Sequence, residues 1–487
     1  MPAVRTWRAA AGVAEREAFM LPVLAMLLVA LLQLLPQQLQ ADSWLTLVSG
    51  REIVEHGLPS VDSLGTWTQG SAWVDQQWLA QVILYGLTVV GGVKLALIAN
   101  VTFVAGAFIL AAVAARSLGA STRGVAFTTL GCFFVSLWAY QLRSQSLVYP
   151  LFVGLLWLLA ADSRSPANRV LLALPALALW ANLHGTVLLA AGLVMLRGLT
   201  LAVGEIRTGR LRRDVGARAA ALVFAPPLLV FASPYGFDLV GYYRRLIMNP
   251  TLSDLVVEWQ PSTPSALTAA FYAVAFATVW LVARHGARLT GFERLTIGIT
   301  LLAGLLAIRS TIWFALTVAV LAPSLVDAAL PSTDPRRAGV VDRVVAAVSV
   351  GAVVVFLVAA LRPTDLPASS TLPPRAADVV ASAVARDRSL LVFATEPYAD
   401  WLLWQRPELA GRIAFDVRFE LFSEEQFRAV VDVYRRAEGW RRHVAGYGLF
   451  VLEPERKALA EKLLREPGAR LLYTDDRIVV LSRPVSR

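Results

Sequence analysis

Residues 41–81 read ADSWLTLVSGREIVEHGLPSVDSLGTWTQGSAWVDQQWLAQ, and their position decides the fold. They directly follow an apolar run, yet they carry five carboxylates: Asp42, Glu52, Glu55, Asp62 and Asp75. Trp44, Trp67, Trp73 and Trp78 are interleaved with these acids. Two amphipathic pieces are expected, SWLTLVSGREIVEHG and AWVDQQWLAQVILYG, broken by Gly57-Leu58-Pro59 and by Gly70. Tryptophan and leucine on one face and polar groups on the other suit a helix lying at a membrane–water boundary.

The rest of the chain supplies the membrane. Of 487 residues, 57% are hydrophobic and only 16% charged, and the mean hydropathy is +0.59. A soluble domain carries about 25% charged residues. Apolar runs at 19–38, 76–92, 95–115, 124–142, 147–161, 168–204, 216–234, 268–283, 293–308, 310–330 and 341–361 predict about eleven or twelve spanning helices, the sixth run counting once or twice. The first run is expected to stay in the protein: no small-residue cleavage site follows it, and more spans come after. Up to Pro363 there are 26 basic and 17 acidic residues, against 19 and 18 beyond it. The excess sits in short loops, which makes it an orientation signal and argues against nucleic acid as a partner. Cys132 is the single cysteine and lies in a predicted span, so no disulfide forms within the chain.

Arg5, Arg8 and Arg16 precede the first span, which predicts a cytoplasmic N-terminus and an outer loop at 39–77. The basic loops at 207–218, 284–288 and 334–337 then fall inside, and 233–265 and Arg309 fall at the outer surface. The run 76–92 has two readings. As a crossing, it places Asn182–Gly185 inside one long broken span. Lying along the interface, it makes Arg116, Arg123, Arg164 and Arg169 cytoplasmic and brings Arg143 and Asn182–Gly185 to the outer side. Charge favours the second reading.

A Pro/Ser/Thr-rich linker at 363–374 separates a spanning region, 1–362, from an outer domain, 375–487. Within the latter, 389–395, 411–416, 448–453, 470–475 and 477–482 look like short strands, and 375–387, 423–437 and 454–466 like helices. That alternation predicts a small α/β domain, and no glycine-rich phosphate loop follows any strand.

Ionisable groups at membrane depth are costly and tend to line cavities. Asp42 at the end of the first span is one candidate, with an interfacial helix cap as its plain alternative. Arg143 with Gln145, Asn182 with His184, and Glu258 with Trp259 are further candidates against ordinary loop or packing roles. Arg309 lies where a positive-inside charge is not expected, which makes it a candidate anion ligand. Glu52 and Glu55 read as solvated faces. No zinc helix, Walker loop, nucleophile elbow or kinase signature occurs. Carboxylates with arginines suit a hydroxyl nucleophile and a phosphate leaving group. Outside the membrane there is no nucleotide pool, so an activated donor has to be borne on lipid.

Asp42-Ser43-Trp44 after the first span, the acidic loop, Arg143-x-Gln145, Asn182-x-His184-Gly185, Pro234-Tyr235-Gly236, Glu258-Trp259-x-Pro261 and the distal DWLLW…FDVRFELF (400–422) form one pattern. Over nearly the whole chain it resembles the polytopic membrane glycosyltransferases of the GT-C fold class, whose relatives include protein mannosyltransferases and lipid A aminoarabinose transferases. The resemblance implies an α-helical polytopic protein of the bacterial cytoplasmic membrane with a small C-terminal α/β domain. It implies an inverting transfer from a polyprenyl-phosphate-linked sugar to a glycan, lipid or protein, with Asp42 as base. Donor phosphate would meet Arg309, Arg143 and His184; sugar or lipid would meet Trp44, Trp78, Asn182, Tyr235 and Trp259. Ser43 and Trp44 follow Asp42 where many relatives carry another acid, so a second carboxylate is sought in Asp62, Asp75 or Glu258. The resemblance favours 76–92 as a crossing, and it leaves a divalent cation open. A non-enzymatic transporter or scaffold for envelope lipids or glycans is the rival reading.

Overall fold

A computed structural model describes residues 20–33, 39–209, 212–248, 256–330 and 372–485, with three positions between 347 and 354. The predicted span 341–361 and most of the linker fall outside the described residues, as do Arg5, Arg8 and Arg16.

The first apolar run forms α1 (Met20–Gln33), and the first amphipathic piece forms α2 (Ala41–His56). The second piece is helical only from Trp78. Before it, Val61 bridges Ala72, and the Asp62 N–H donates to the Ser71 carbonyl at 2.8 Å, so 57–77 folds as a compact loop.

Helix α3 (Trp78–Ser117) joins two predicted spans, but Gly91 and Gly92 leave helical geometry, with Gly92 at φ 69°. Glycine takes that left-handed conformation at little cost. The limb 78–90 is about 20 Å long, short of the ~30 Å hydrocarbon core. The limb 93–117 has its early part near the cavity end of the bundle, where Asn100 Nδ2 donates to the Tyr140 carbonyl at 2.8 Å. Its far end reaches Arg164, which donates to the Leu118 carbonyl. Limb 78–90 therefore starts and finishes at one end of the bundle and packs on α2. A Cβ at Gly50 would sit 2.6 Å from Tyr85 Cβ and press on the Gln81 carbonyl. Gly50→Ala should part these helices at a cost of about 1–3 kcal/mol, read as a lower thermal midpoint in detergent; an unchanged midpoint would contradict the contact.

The remaining apolar runs fold as α4 (Thr122–Phe133, extended by a 3₁₀ turn, Phe134–Tyr140), α5 (Val148–Arg164), α6 (Ala173–Trp180), α7 (Val187–Thr208) and α8 (Arg213–Leu229). After α9 (Asp238–Met248) come α10 (Ala269–His285), α11 (Gly291–Leu306), α12 (Thr311–Leu321) and α13 (Pro323–Ala329). Run 168–204 is thus two helices with His184 in the turn between them. Among the described residues four helical stretches are long and apolar enough to cross a membrane alone: Trp78–Ser117, Ser144–Arg164, Val187–Arg207 and Ala269–Arg288. The pair α12 and α13, bent by 59°, makes a fifth. Phe224, Leu228, Phe276, Trp280, Leu302 and Leu306 project outward from the bundle, as a lipid-facing surface requires.

An ion pair and two hydrogen bonds fix which loops share an end. Arg164 Nε meets Glu293 Oε1 at 2.7 Å, the Ser121 N–H meets Asp327 Oδ2 at 2.6 Å, and Arg218 meets Asn168 at 3.1 Å. Arg116, Arg164, Arg169, Arg212 and Arg288 gather near that end. Residues 42, 143, 184, 258 and 309 gather at the other, with the C-terminal domain.

That domain contains α14 (Pro374–Arg386), β1 (Val392–Ala394), α15 (Glu396–Gln405), α16 (Glu424–Arg435), β2 (Leu449–Leu452), α17 (Lys457–Leu464), β3 (Arg470–Thr474) and β4 (Val479–Ser482). The strand order is β1-β2-β4-β3, parallel between β1 and β2 and antiparallel elsewhere. The stretch 411–416 is not a full strand. Ile413 instead bridges both Val392 and Gly65 of the first outer loop. The Thr66 N–H donates to the Ile413 carbonyl at 2.8 Å and the Trp67 N–H to the Ala414 carbonyl at 3.0 Å. The loop is therefore bonded through its main chain to the C-terminal domain. Helix α15 strengthens the union by packing on α2: Arg51 donates to the carbonyls of Leu403 and Trp404 at 2.7 and 3.1 Å.

Candidate active site

At the junction of loop, bundle and C-terminal domain lies a cavity of about 530 Å³. Its walls include Asp42, Arg143, His184, Glu258, Trp259 and Arg309, from five separated segments. Asp42 occupies the first turn of α2, where the helix dipole favours a carboxylate. Gln40, not Asp42, is the cap residue. Arg143 follows the 3₁₀ turn 134–140 on extended backbone. Its guanidinium donates to both oxygens of Glu258, at 2.9 and 2.7 Å, and Nη2 lies 3.1 Å from Asp42 Oδ2. One planar cation thus bridges carboxylates far apart in sequence.

Burial raises the Glu258 pKa, but the hydrogen bonds and charge of Arg143 outweigh it and hold the carboxyl below its usual range. Glu258 and Trp259 form a short turn whose neighbour Gln260 accepts from the Ile308 N–H at 3.0 Å. That bond brings Arg309 over the Trp259 ring, 4.0 Å from its centroid. His184 Nδ1 accepts from the Thr186 N–H at 3.2 Å, which leaves Nε2 to carry the proton of the neutral ring. Ser144 Oγ, Gln145 Nε2 and Tyr243 Oη, on residues lining the cavity, are buried and have no hydrogen-bond partner among the described residues. Such groups are rare in native interiors and concentrate where a polar ligand or water binds.

No protein-family model matches the sequence, and no curated protein matches it. Solved structures do. The apo oligosaccharyltransferase of Archaeoglobus fulgidus superposes with a TM-score of 0.51 over 88% of this chain and 69% of that one, at 11% identity. The chain has the GT-C fold. Two further GT-C structures align with lower scores. ArnT from Cupriavidus metallidurans, bound to undecaprenyl phosphate, gives 0.46 at 14% identity, covering 94% of this chain and 97% of that one. The arabinofuranosyltransferase AftD from Mycobacteria gives 0.48 at 15% identity, covering 94% and 39%.

Within this GT-C frame the other sequence candidates occupy different places. Asp62 is sealed beneath the C-terminal domain. It accepts from the Leu64 N–H at 3.1 Å and the Thr68 hydroxyl at 2.6 Å, and it pairs with Arg418, which also grips Asp416. Burial would raise its pKa; Arg418, Thr68 and Leu64 together lower it instead. Asp75 is buried beside Asp62 and Arg418 and does not line the main cavity. Burial pushes its carboxyl up to about 7 despite Arg418. Trp44 packs 6.3 Å from Trp404 of α15 and does not line the cavity. Trp78 Nε1 donates to Asn182 Oδ1 at 3.0 Å, and Asn182 Nδ2 to the Ala232 carbonyl at 2.7 Å, so this pair clamps α3 to the α6–α7 turn. Tyr235 donates to the Pro59 carbonyl at 2.9 Å and lines a second cavity.

Sequence reasoning passed over Gln76, Tyr242, Arg418 and Glu420, which all line the main cavity. Their signal was faint: a paired glutamine in an amphipathic stretch, and acids among aromatics in FDVRFELF.

The residues do not fit a bound divalent cation. Among the described residues no three His, Cys, Asp or Glu side chains gather to hold one. Asp42 and Glu258 do approach each other, but the Arg143 guanidinium takes the place between them. No step below runs through a metal.

Proposed function

We propose that the protein transfers a glycosyl group from a polyprenyl-phosphate donor to an acceptor hydroxyl on a glycan, lipid or protein, with inversion, at the outer face of a bacterial cytoplasmic membrane. The observation that carries this reading is the single cavity holding Asp42, Arg143, Glu258 and Arg309 at one end of an apolar bundle. The arginines collected at the opposite end support a cytoplasmic placement of that end, by the positive-inside rule. The cavity end and the C-terminal domain then face outward, where a lipid is the available carrier of an activated sugar.

Arg143 and Arg309 supply positive charge for the phosphate as its bond to the sugar breaks, and His184 Nε2–H supplies a hydrogen bond. Trp259, already covered by Arg309 on one side, offers its edge and remaining surface to the sugar or the isoprenoid. Asp42 engages the acceptor hydroxyl and turns its oxygen toward the anomeric carbon, opposite the leaving phosphate. Trp44, Trp78 and Asn182 keep this frame in register. A transporter or scaffold for envelope lipids or glycans is the rival reading; it predicts charged residues along an internal pathway and a repeat relation between halves, and no such repeat is evident in the sequence.

Asp42→Asn keeps the shape of the side chain and removes its charge. In nanodiscs with undecaprenyl-phosphoryl sugars, release of undecaprenyl phosphate should fall at least about 10²-fold, with binding of undecaprenyl phosphate retained. Release at the wild-type rate would exclude Asp42 from the reaction.

A further inference from the structure

Beside the main cavity lies a second, more open one of about 990 Å³. Helix α9 partitions them: Tyr242 and Tyr243 face the first, Gly241, Arg244 and Arg245 the second. Among the described residues only Trp73 and Glu420 line both. Glu420 and Trp73 therefore form the wall that the two cavities share.

Its position is fixed from below. The preceding Arg418 is buried, gripped by Asp62 of the outer loop and by Asp416, with its guanidinium 5.0 Å from the Trp73 ring centroid. The other carboxylates lining the main cavity, Asp42 and Glu258, share Arg143. Glu420 forms no ion pair among the described residues. Of the three carboxylates lining the main cavity it is the one not held by an arginine, and so the one placed to accept a proton.

We propose that Glu420 is a second catalytic carboxylate, which takes the proton of an acceptor hydroxyl arriving through the second cavity while Asp42, held by Arg143, orients that hydroxyl. This rests on the glycosyl-transfer reading above. The acceptor oxygen forms its bond to the anomeric carbon, and the bond from that carbon to the phosphate oxygen breaks. The bonding pair leaves with polyprenyl phosphate, which gains one negative charge, and Glu420 becomes neutral on taking the proton. The acceptor class is a hydroxylated, sugar-sized group, matched to the aromatic surfaces of Trp73, Tyr235 and Phe422 around the second cavity.

The electrostatic setting agrees. Burial, with Asp416 and Asp42 adding to it against Arg418, pushes the Glu420 carboxyl up to about 7. The charged and titratable groups around it are Asp42, Asp416, Arg418, Asp75, Arg309 and, on α9, Asp238, Tyr242, Tyr243, Arg244 and Arg245. A base with that pKa is charged above neutrality and well matched to proton transfer there.

The test uses the full chain in nanodiscs with undecaprenyl-phosphoryl-mannose and undecaprenyl-phosphoryl-glucose, following release of undecaprenyl phosphate from pH 5 to 9. The wild-type rate should rise through about pH 7. Glu420→Gln should lower kcat about 10²-fold, abolish that rise and leave undecaprenyl phosphate binding unchanged, whereas Glu420→Asp should restore part of the rate. Glu420→Gln with its rate and pH step intact overturns the proposal and leaves the transfer reading standing. A wild-type chain that neither binds undecaprenyl phosphate nor releases it overturns both.

Discussion

Arg418→Met should be among the most destabilising single changes in the described structure, at about 3–5 kcal/mol. Arg418 is nearly inaccessible, and so are Asp62 and Asp416, the two carboxylates it neutralises. Methionine fills much of the same space but leaves two buried acids facing each other without a cation. The loop should then detach from the C-terminal domain, and chymotrypsin should cut at Trp67 or Trp73 in the variant before the wild type. Because the penalty lies in unpaired charge and not in lost volume, adding Asp62→Asn and Asp416→Asn to Arg418→Met should recover part of the thermal midpoint. A triple variant no better than the single one would show that packing, not charge, holds the interface.

Arg143→Ala should be the most damaging change to turnover, lowering release of undecaprenyl phosphate by about 10³-fold. In the proposed transfer the guanidinium combines two tasks: with Arg309 it offers charge to the leaving phosphate, and it alone separates Asp42 from Glu258. Without it the two acids repel, and the donor phosphate meets net negative charge. Undecaprenyl phosphate binding should weaken as well, which distinguishes this variant from Asp42→Asn. Arg143→Lys should recover only part of the loss, since an ammonium cannot reproduce the two-pronged contact with Glu258. Full activity in either variant would remove Arg143 from the donor site.

Much of the frame was legible from residues 41–81 and the runs around them. A loop of acid and indole beside apolar helices has few stable locations other than a membrane boundary next to a wet cleft. Amphipathic periods in the C-terminal domain foretold helices: 375–387 and 423–437 correspond to α14 and α16. Apolar content alone could not decide the course of 76–92. A crossing helix and one folded back on its own side have the same composition, and the decision rests on the Gly91–Gly92 break and on Asn100 reaching Tyr140. The partners of the acids were hidden by sequence distance: Asp62 and Arg418 lie 356 positions apart. Asp62 and Asp75 rank behind Asp42 in the sequence yet remain candidates for a second carboxylate, because burial beneath another domain leaves no local mark. Glu420 was obscured for the converse reason. Its segment resembles an ordinary aromatic-rich turn, and only the second cavity gives it a role.

The bridge from Ile413 to Gly65 has a bearing on how the molecule comes into being. Asp42 is synthesised early and Glu420 late, with nearly all the helices between them. The main cavity takes part of its wall from Val417, Arg418, Phe419 and Glu420, so the bundle and the first loop do not enclose it until the C-terminal domain has folded against that loop.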